Sequence, residues 1–124
     1  MIKQAAKEAL KSNHSSYKMG AVVVKGSRIL SVASNKINRG CQYITYKKWG
    51  NSLHAEAHAI LKLLKKGKLS DLSGSVIYVT RINEKNKLMN SKPCEFCISL
   101  ASSVNIKAIY YTNSEGLTQC LQVK

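Results

Sequence analysis

The sequence predicts an α/β fold, and three observations carry the prediction. Stretches with apolar residues at spacings of three and four alternate with short β-branched runs; no repeat, linker or low-complexity tract interrupts the series; and 124 residues suit one core. The expected organisation is a single domain over residues 1–124. A content of 44% hydrophobic and 21% charged residues, with seven glycines and one proline, excludes a disordered or collagen-like chain as the main state.

Met1 to Ser12 sets Ile2, Ala5, Ala6, Ala9 and Leu10 on one face and lysines on the other, a helix suited to covering a sheet. Ala21 to Val24 and Ile29 to Ala33 are β-rich runs joined by Lys25-Gly26-Ser27-Arg28, where Gly26 supplies the backbone freedom of a tight hairpin turn. Ser34 to Ser52 reads as irregular. Leu53, Ala57, Ile60, Leu61 and Leu64 then recur with helical spacing until Lys65, Lys66 and Gly67 end the helix. Ser75 to Arg81 reads as a buried strand and Asn83 to Lys92 as a polar excursion. Pro93 suits the first turn of a third helix, with Cys94, Cys97, Ala101 and Val104 on one face. Ile106 to Thr112 forms a further strand. What remains is too short for a parallel crossover, so a final strand near Leu121 to Val123 has to pair antiparallel through a turn at Asn113 to Gly116.

Twenty Lys and Arg against six Asp and Glu give a net charge of +14, beyond the magnitude of about 2–8 usual for a small soluble domain. A polyanionic partner or substrate follows from that excess, although lysine scattered along the whole chain also suits a merely solvated surface. No apolar run approaches the roughly 18–20 residues that cross a bilayer. Met1 to Asn13 alternates lysine with alanine instead of carrying an apolar secretion core. The expected setting is cytoplasmic, without membrane contact.

Two fragments concentrate the chemistry: His54-Ala55-Glu56 at the start of the second helix and Pro93-Cys94-Glu95-Phe96-Cys97 at the start of the third. Cys94 and Cys97, at i and i+3, present their sulfurs to one side, and the positive helix end favours the thiolates that bind zinc. His54 completes a His-Cys-Cys set whose softness suits one Zn2+. Three protein ligands with an open fourth position form the catalytic pattern; a structural zinc is closed by a fourth side chain, for which His58 or Cys41 is available. Glu56, in the first turn, can reach a site that caps the helix and pass a proton from water acidified at the metal to a substrate nitrogen. A thioredoxin-like redox pair at Cys94 and Cys97 yields to zinc because of His54 and Glu56, and an H-E-x-x-H protease site lacks its glutamate because position 55 is Ala. His58 is better read as a packed or hydrogen-bonded histidine, His14 and Glu95 as solvated residues, and Cys41 and Cys120 as leftover thiols.

The H-x-E and P-C-x-x-C fragments together match the signature of zinc nucleobase deaminases, and the chain resembles the cytidine deaminase superfamily from about Ser16 to Thr112. Lys18-Met19-Gly20-Ala21-Val22-Val23-Val24 is similar to that family's first strand, and Ser34-Asn35-Lys36 to its base-contacting asparagine turn. The resemblance implies a three-layer α/β/α fold with a mixed sheet of about five strands and helices on both faces. It also implies zinc on His54, Cys94 and Cys97, Glu56 as proton shuttle, and Asn35 with Ala55 at the substrate. Riboflavin-pathway deaminases share the His-Ala-Glu-Ala-His-Ala string but usually space their cysteines farther apart. Tyr43, Tyr46, Lys47, Lys48 and Trp49 interleave aromatics with cations just before His54, which suits a stacking wall for a base and its flanking phosphates as well as a loop pinned to the core.

The expected function is zinc-dependent hydrolytic deamination of cytosine to uracil in a phosphate-bearing substrate, either a deoxycytidylate-type nucleotide or single-stranded nucleic acid. Water attacks C4, Glu56 protonates the ring nitrogen, ammonia leaves, and Asn35 with Tyr46 or Trp49 orients the base. The alternatives are a tRNA adenosine-type deaminase on the same scaffold, and an inert module whose closed zinc stabilises a nucleic-acid-binding surface. A homo-oligomer is compatible with each.

Overall fold

The computed structural model describes residues 1–12, 18–37 and 52–123. Along the chain run α1 (Ile2–Ala9), β1 (Lys18–Lys25), β2 (Arg28–Ser34), β3 (Lys36–Ile37), β4 (Ser52–Leu53) and α2 (Ala55–Lys65). They are followed by α3 (Leu69–Leu72), β5 (Val76–Ile82), β6 (Leu88–Met89), α4 (Glu95–Ser103), β7 (Ala108–Thr112) and β8 (Thr118–Gln122). Six strands form one mixed sheet in the order β2-β1-β5-β7-β8, with β6 attached to β5. Only β5 and β7 run parallel, and α4 lies in the crossover between them.

The interior strand β1 is buried from Met19 to Val24, because an uninterrupted Met-Gly-Ala-Val-Val-Val run can face packed layers on both sides. On one face, Val22, Val24, Val32, Val76 and Tyr78 receive α1 through Ala5. On the other, Met19, Ala21, Val23, Ile77, Val79 and Ile109 pack against Ala59, Ile60 and Leu63 of α2, Leu72 of α3 and Ala101 of α4. The result is the three-layer α/β/α arrangement implied by the resemblance.

Gly20 sets the closeness of the α1 layer. A Cβ there would sit on the Ala5 carbonyl and the Ala9 N–H, which are backbone atoms that cannot step aside alone. Gly20→Ala is therefore expected to lower stability by about 1–3 kcal/mol, the usual range for overpacking. Urea unfolding checks this, and an unchanged midpoint would show that α1 is free to lift.

Gly26 takes φ +64 in a two-residue turn between Lys25 and Arg28, as a tight hairpin requires. The last strand is antiparallel to β7, as the chain length demanded, but covers Thr118–Gln122 and not only the end. Other expectations need correction. The ends of the stretch read as irregular are two short strands, β3 and β4, paired Lys36 to Leu53 and Ile37 to Ser52. Leu53 consequently lies in β4, and the second helix begins at Ala55 with His54 as its extended N-cap. Pro93 lies outside the third helix, whose N-cap is Cys94. The polar excursion contains β6, which is the sixth strand of the sheet, and α3 is an added helix of one turn. Among the described residues no helix is long and apolar enough to cross a membrane.

Candidate metal centre

Two helix starts meet at this site. His54 caps α2 with φ −65 and ψ 150, and Cys94 caps α4 with φ −76 and ψ 165; neither side chain makes a capping hydrogen bond. Both side chains face each other across the gap. His54 Nδ1 stands 3.8 Å from Cys94 Sγ and 3.7 Å from Cys97 Sγ. Cys97 joins from the third residue of its helix because an N-cap side chain and the one three residues on share a side.

The donor set and spacing fit a single zinc ion. One imidazole nitrogen and two sulfurs lie within 4.8 Å of one another. Tetrahedral bonds of about 2.0 Å to nitrogen and 2.3 Å to sulfur place ligand atoms roughly 3.6 Å apart, close to the distances found. The neighbouring Cys97 thiol holds Cys94 down at about 4, with His54 adding to the effect, while the same contact and burial push Cys97 up. A thiolate is thus favoured where a cation is to bind.

Glu56 is the second residue of α2 and only 1% exposed. Neither carboxylate oxygen has a hydrogen-bond partner among the described residues. Burial raises its pKa, opposed by the charge of His54, its own backbone N–H and the Cys97 thiol. A buried carboxyl group with no hydrogen bond of ordinary geometry among the described residues is costly in a structural role and ready for a proton-transfer role.

Asn35 immediately precedes the β3–β4 pair, as His54 immediately follows it. Continuing that register by one residue sets Asn35 opposite His54. Its Oδ1 accepts from the Met19 N–H at 2.8 Å, its N–H donates to the Met19 carbonyl, and its carbonyl accepts from the Ser12 hydroxyl. These bonds hold Asn35 against Met19 of β1. Ala55, the first residue of α2, is fully buried in the core. Tyr46 and Trp49, along with His14, Cys41, Tyr43, Lys47 and Lys48, lie outside the described residues. Glu95 is exposed, and Cys120 is an exposed free thiol on β8.

His58 is not in the ligand group. Its Nδ1 lies 2.9 Å from the Ser34 carbonyl, to which the neutral ring donates. Burial lowers its pKa below the ordinary 6.5, and Lys62, Lys36 and Lys65 lower it further, against the Ser34 contact. Folded His58 therefore binds protons less readily than unfolded His58. Its contribution to stability is present above pH 6.5 and is lost as pH falls from there through the folded-state value. Thermal melts between pH 8 and 5 are expected to show a smaller acid-side loss in His58→Gln than in wild type; equal losses would contradict this.

Sequence reasoning missed Ser91, which anchors the arm that carries Cys94. The Ser91 hydroxyl, buried, donates to the Val79 carbonyl at 3.0 Å and accepts from the Thr112 N–H at 2.9 Å. The Thr112 hydroxyl donates to the Met89 carbonyl and lies 3.0 Å from the Thr80 hydroxyl. The only signal was a serine three residues before a cysteine, too common to notice.

Fold and centre together define a zinc nucleobase deaminase class of protein. The model of the cytidine and deoxycytidylate deaminase zinc-binding region matches residues 1–113, and the chain belongs to that family. One zinc ion is the cofactor, held by His54, Cys94 and Cys97, and the family relation supports zinc-dependent deamination of cytosine-type substrates. Among solved structures, the dCMP deaminase from the cyanophage S-TIM5 in apo form is 28% identical with a TM-score of 0.68, over 90% of this chain and 79% of that one. Cytidine deaminase from Burkholderia pseudomallei is 18% identical with a TM-score of 0.70, over 98% of this chain and 89% of that one. The Mycobacterium leprae cytidine deaminase is 20% identical with a TM-score of 0.61, over 97% and 89%. The last two likenesses show the fold. No curated protein sequence matches.

Proposed function

We propose that the chain, acting as one domain over residues 1–124, converts cytosine to uracil and ammonia by hydrolysis in a phosphate-bearing substrate. The observation that carries this reading is Glu56, buried beside the ligand trio with neither carboxylate oxygen in a hydrogen bond of ordinary geometry among the described residues. Zinc, when bound by His54, Cys94 and Cys97, supplies acidified water and stabilises developing negative charge. Glu56 takes a proton from the attacking water and delivers it to the ring nitrogen as the water oxygen bonds to C4; it then takes the proton of the resulting C4 hydroxyl and passes it to the amine, so that C4=O forms as the C4–N bond breaks and ammonia leaves. Asn35, held by Met19 and opposite His54, orients the base, the Ala55 backbone N–H faces its carbonyl, and Tyr46 or Trp49 stacks on it. Water in, ammonia out, and the Glu56 proton returned keep the reaction balanced.

Phosphate on the substrate is supported by the net charge of +14 and by the likeness to a deaminase that acts on dCMP. An open fourth position is supported by the absence of a fourth His, Cys, Asp or Glu from the ligand group among the described residues. Mass spectrometry of zinc-loaded protein with cytidine, deoxycytidine monophosphate, single-stranded DNA and tRNA tests the reading. A +1 Da product from cytosine supports it, and no conversion of any cytosine substrate overturns it.

A further inference from the structure

Strand β2 and helix α2 run side by side toward the metal centre, and a trough follows them. Three contacts zip the two elements together: the Ser34 carbonyl to His58, the Val32 carbonyl to Lys62 Nζ at 2.9 Å, and the Ser31 hydroxyl to the Ala59 carbonyl. Along their outer side lie two adjoining hollows of about 270 and 280 Å³, which share Ile29, Leu30 and Lys66. Their rims carry Arg28, Lys62, Lys66 and Lys68 against a single acid, Asp71. The floor is apolar, with Ile29 42% exposed.

On α2 the positions 66, 62, 58 and 54 are four apart, so they form one ridge from the trough back to the zinc ligand His54. Lys36, which follows Asn35, is near enough to that ridge to oppose protonation of both Lys62 and His58. Lys62 and Lys36 thus carry positive charge from the trough toward the centre, with Glu8 acting on Lys62 and Asp71 lying 3.9 Å from Arg28 at the far rim.

We propose that this trough binds the phosphate backbone of a single-stranded nucleic acid and leads it to the metal centre. The inference rests on the deaminase reading above and assigns it a polymer substrate. Rim cations suit phosphates, and the apolar floor suits the faces of unstacked bases. An extended peptide pairing with β2 is disfavoured. Lys62 occupies the Val32 carbonyl, and the register slips at Leu30, which pairs with nothing on β1 between Ser31 and Ile29.

The test is fluorescence anisotropy of zinc-loaded protein with a labelled thymidine oligonucleotide, comparing two charge reversals of equal size. Lys66→Glu with Lys68→Glu alters the trough; Lys3→Glu with Lys7→Glu alters exposed lysines on α1, on the other face of the sheet. The trough pair is expected to weaken binding at least about tenfold and to reduce the salt slope by about two, and the α1 pair less than about threefold. Equal losses from both pairs, or displacement by polyglutamate as effective as by unlabelled oligonucleotide, would overturn the proposal. Turnover separates the two readings. An enzyme that deaminates deoxycytidine monophosphate but never a cytosine-containing oligonucleotide overturns the trough and leaves the deaminase. A protein that binds through the trough yet converts neither substrate upholds the trough and ends the deaminase.

Discussion

Glu56→Gln is expected to lose about 10²–10⁴-fold in kcat while keeping its zinc, because the amide preserves shape but cannot accept and return a proton. His54, Cys94 and Cys97 are untouched by the change, so metal content should stay at one per chain. Stability should not fall. The wild-type carboxyl group is 1% exposed with neither oxygen hydrogen-bonded among the described residues, and replacing an ionisable buried group by a neutral one relieves a desolvation cost. Steady-state kinetics with metal analysis and thermal melts check all three statements. Full activity in this variant would remove Glu56 from the chemistry, and loss of zinc would make its role structural.

Cys97→Ala should have the second large effect, through the metal. Its sulfur is fully buried, 3.7 Å from His54 Nδ1, and no neighbouring donor in the described ligand group can replace it. Two ligands do not hold zinc against a chelator, so activity should fall to background. The fold should survive, since Ala101, Val104 and Ile106 keep α4 and the strand after it in the core. Zinc at about 1,000 times its dissociation constant stabilises the wild type by about 4 kcal/mol, and the variant should gain none of this. Melts with and without zinc measure the difference; an equal gain in the variant would place the ion elsewhere.

How much of this was legible beforehand depended on the range of the interaction. The β1 run, the Gly26 hairpin and the antiparallel β8 followed from local chemistry and from a count of residues. The site ligands were legible because metal binding demands particular atoms, and His-x-Glu with Pro-Cys-x-x-Cys supplies them. The helix boundaries were not. Helix starts are usually read from Ser, Thr, Asp or Asn, and here His54 and Cys94 occupy the caps with their side chains turned toward each other instead. Pairing over two residues, as in β3 and β4, leaves too short a pattern to see, yet it ties the residue after Asn35 to the residue before His54. The Ser91–Thr112 bonds join residues 21 apart and have no local signature. Lysines at 62, 66 and 68 look like any solvated helix end until β2 brings Arg28 beside them.

X-ray absorption at the zinc edge of the purified protein tests the central claim most directly. One nitrogen at about 2.0–2.1 Å, two sulfurs at about 2.3 Å and one oxygen that exchanges with solvent are expected. A third sulfur or a second imidazole completing the sphere would contradict the account, because a closed metal cannot activate water.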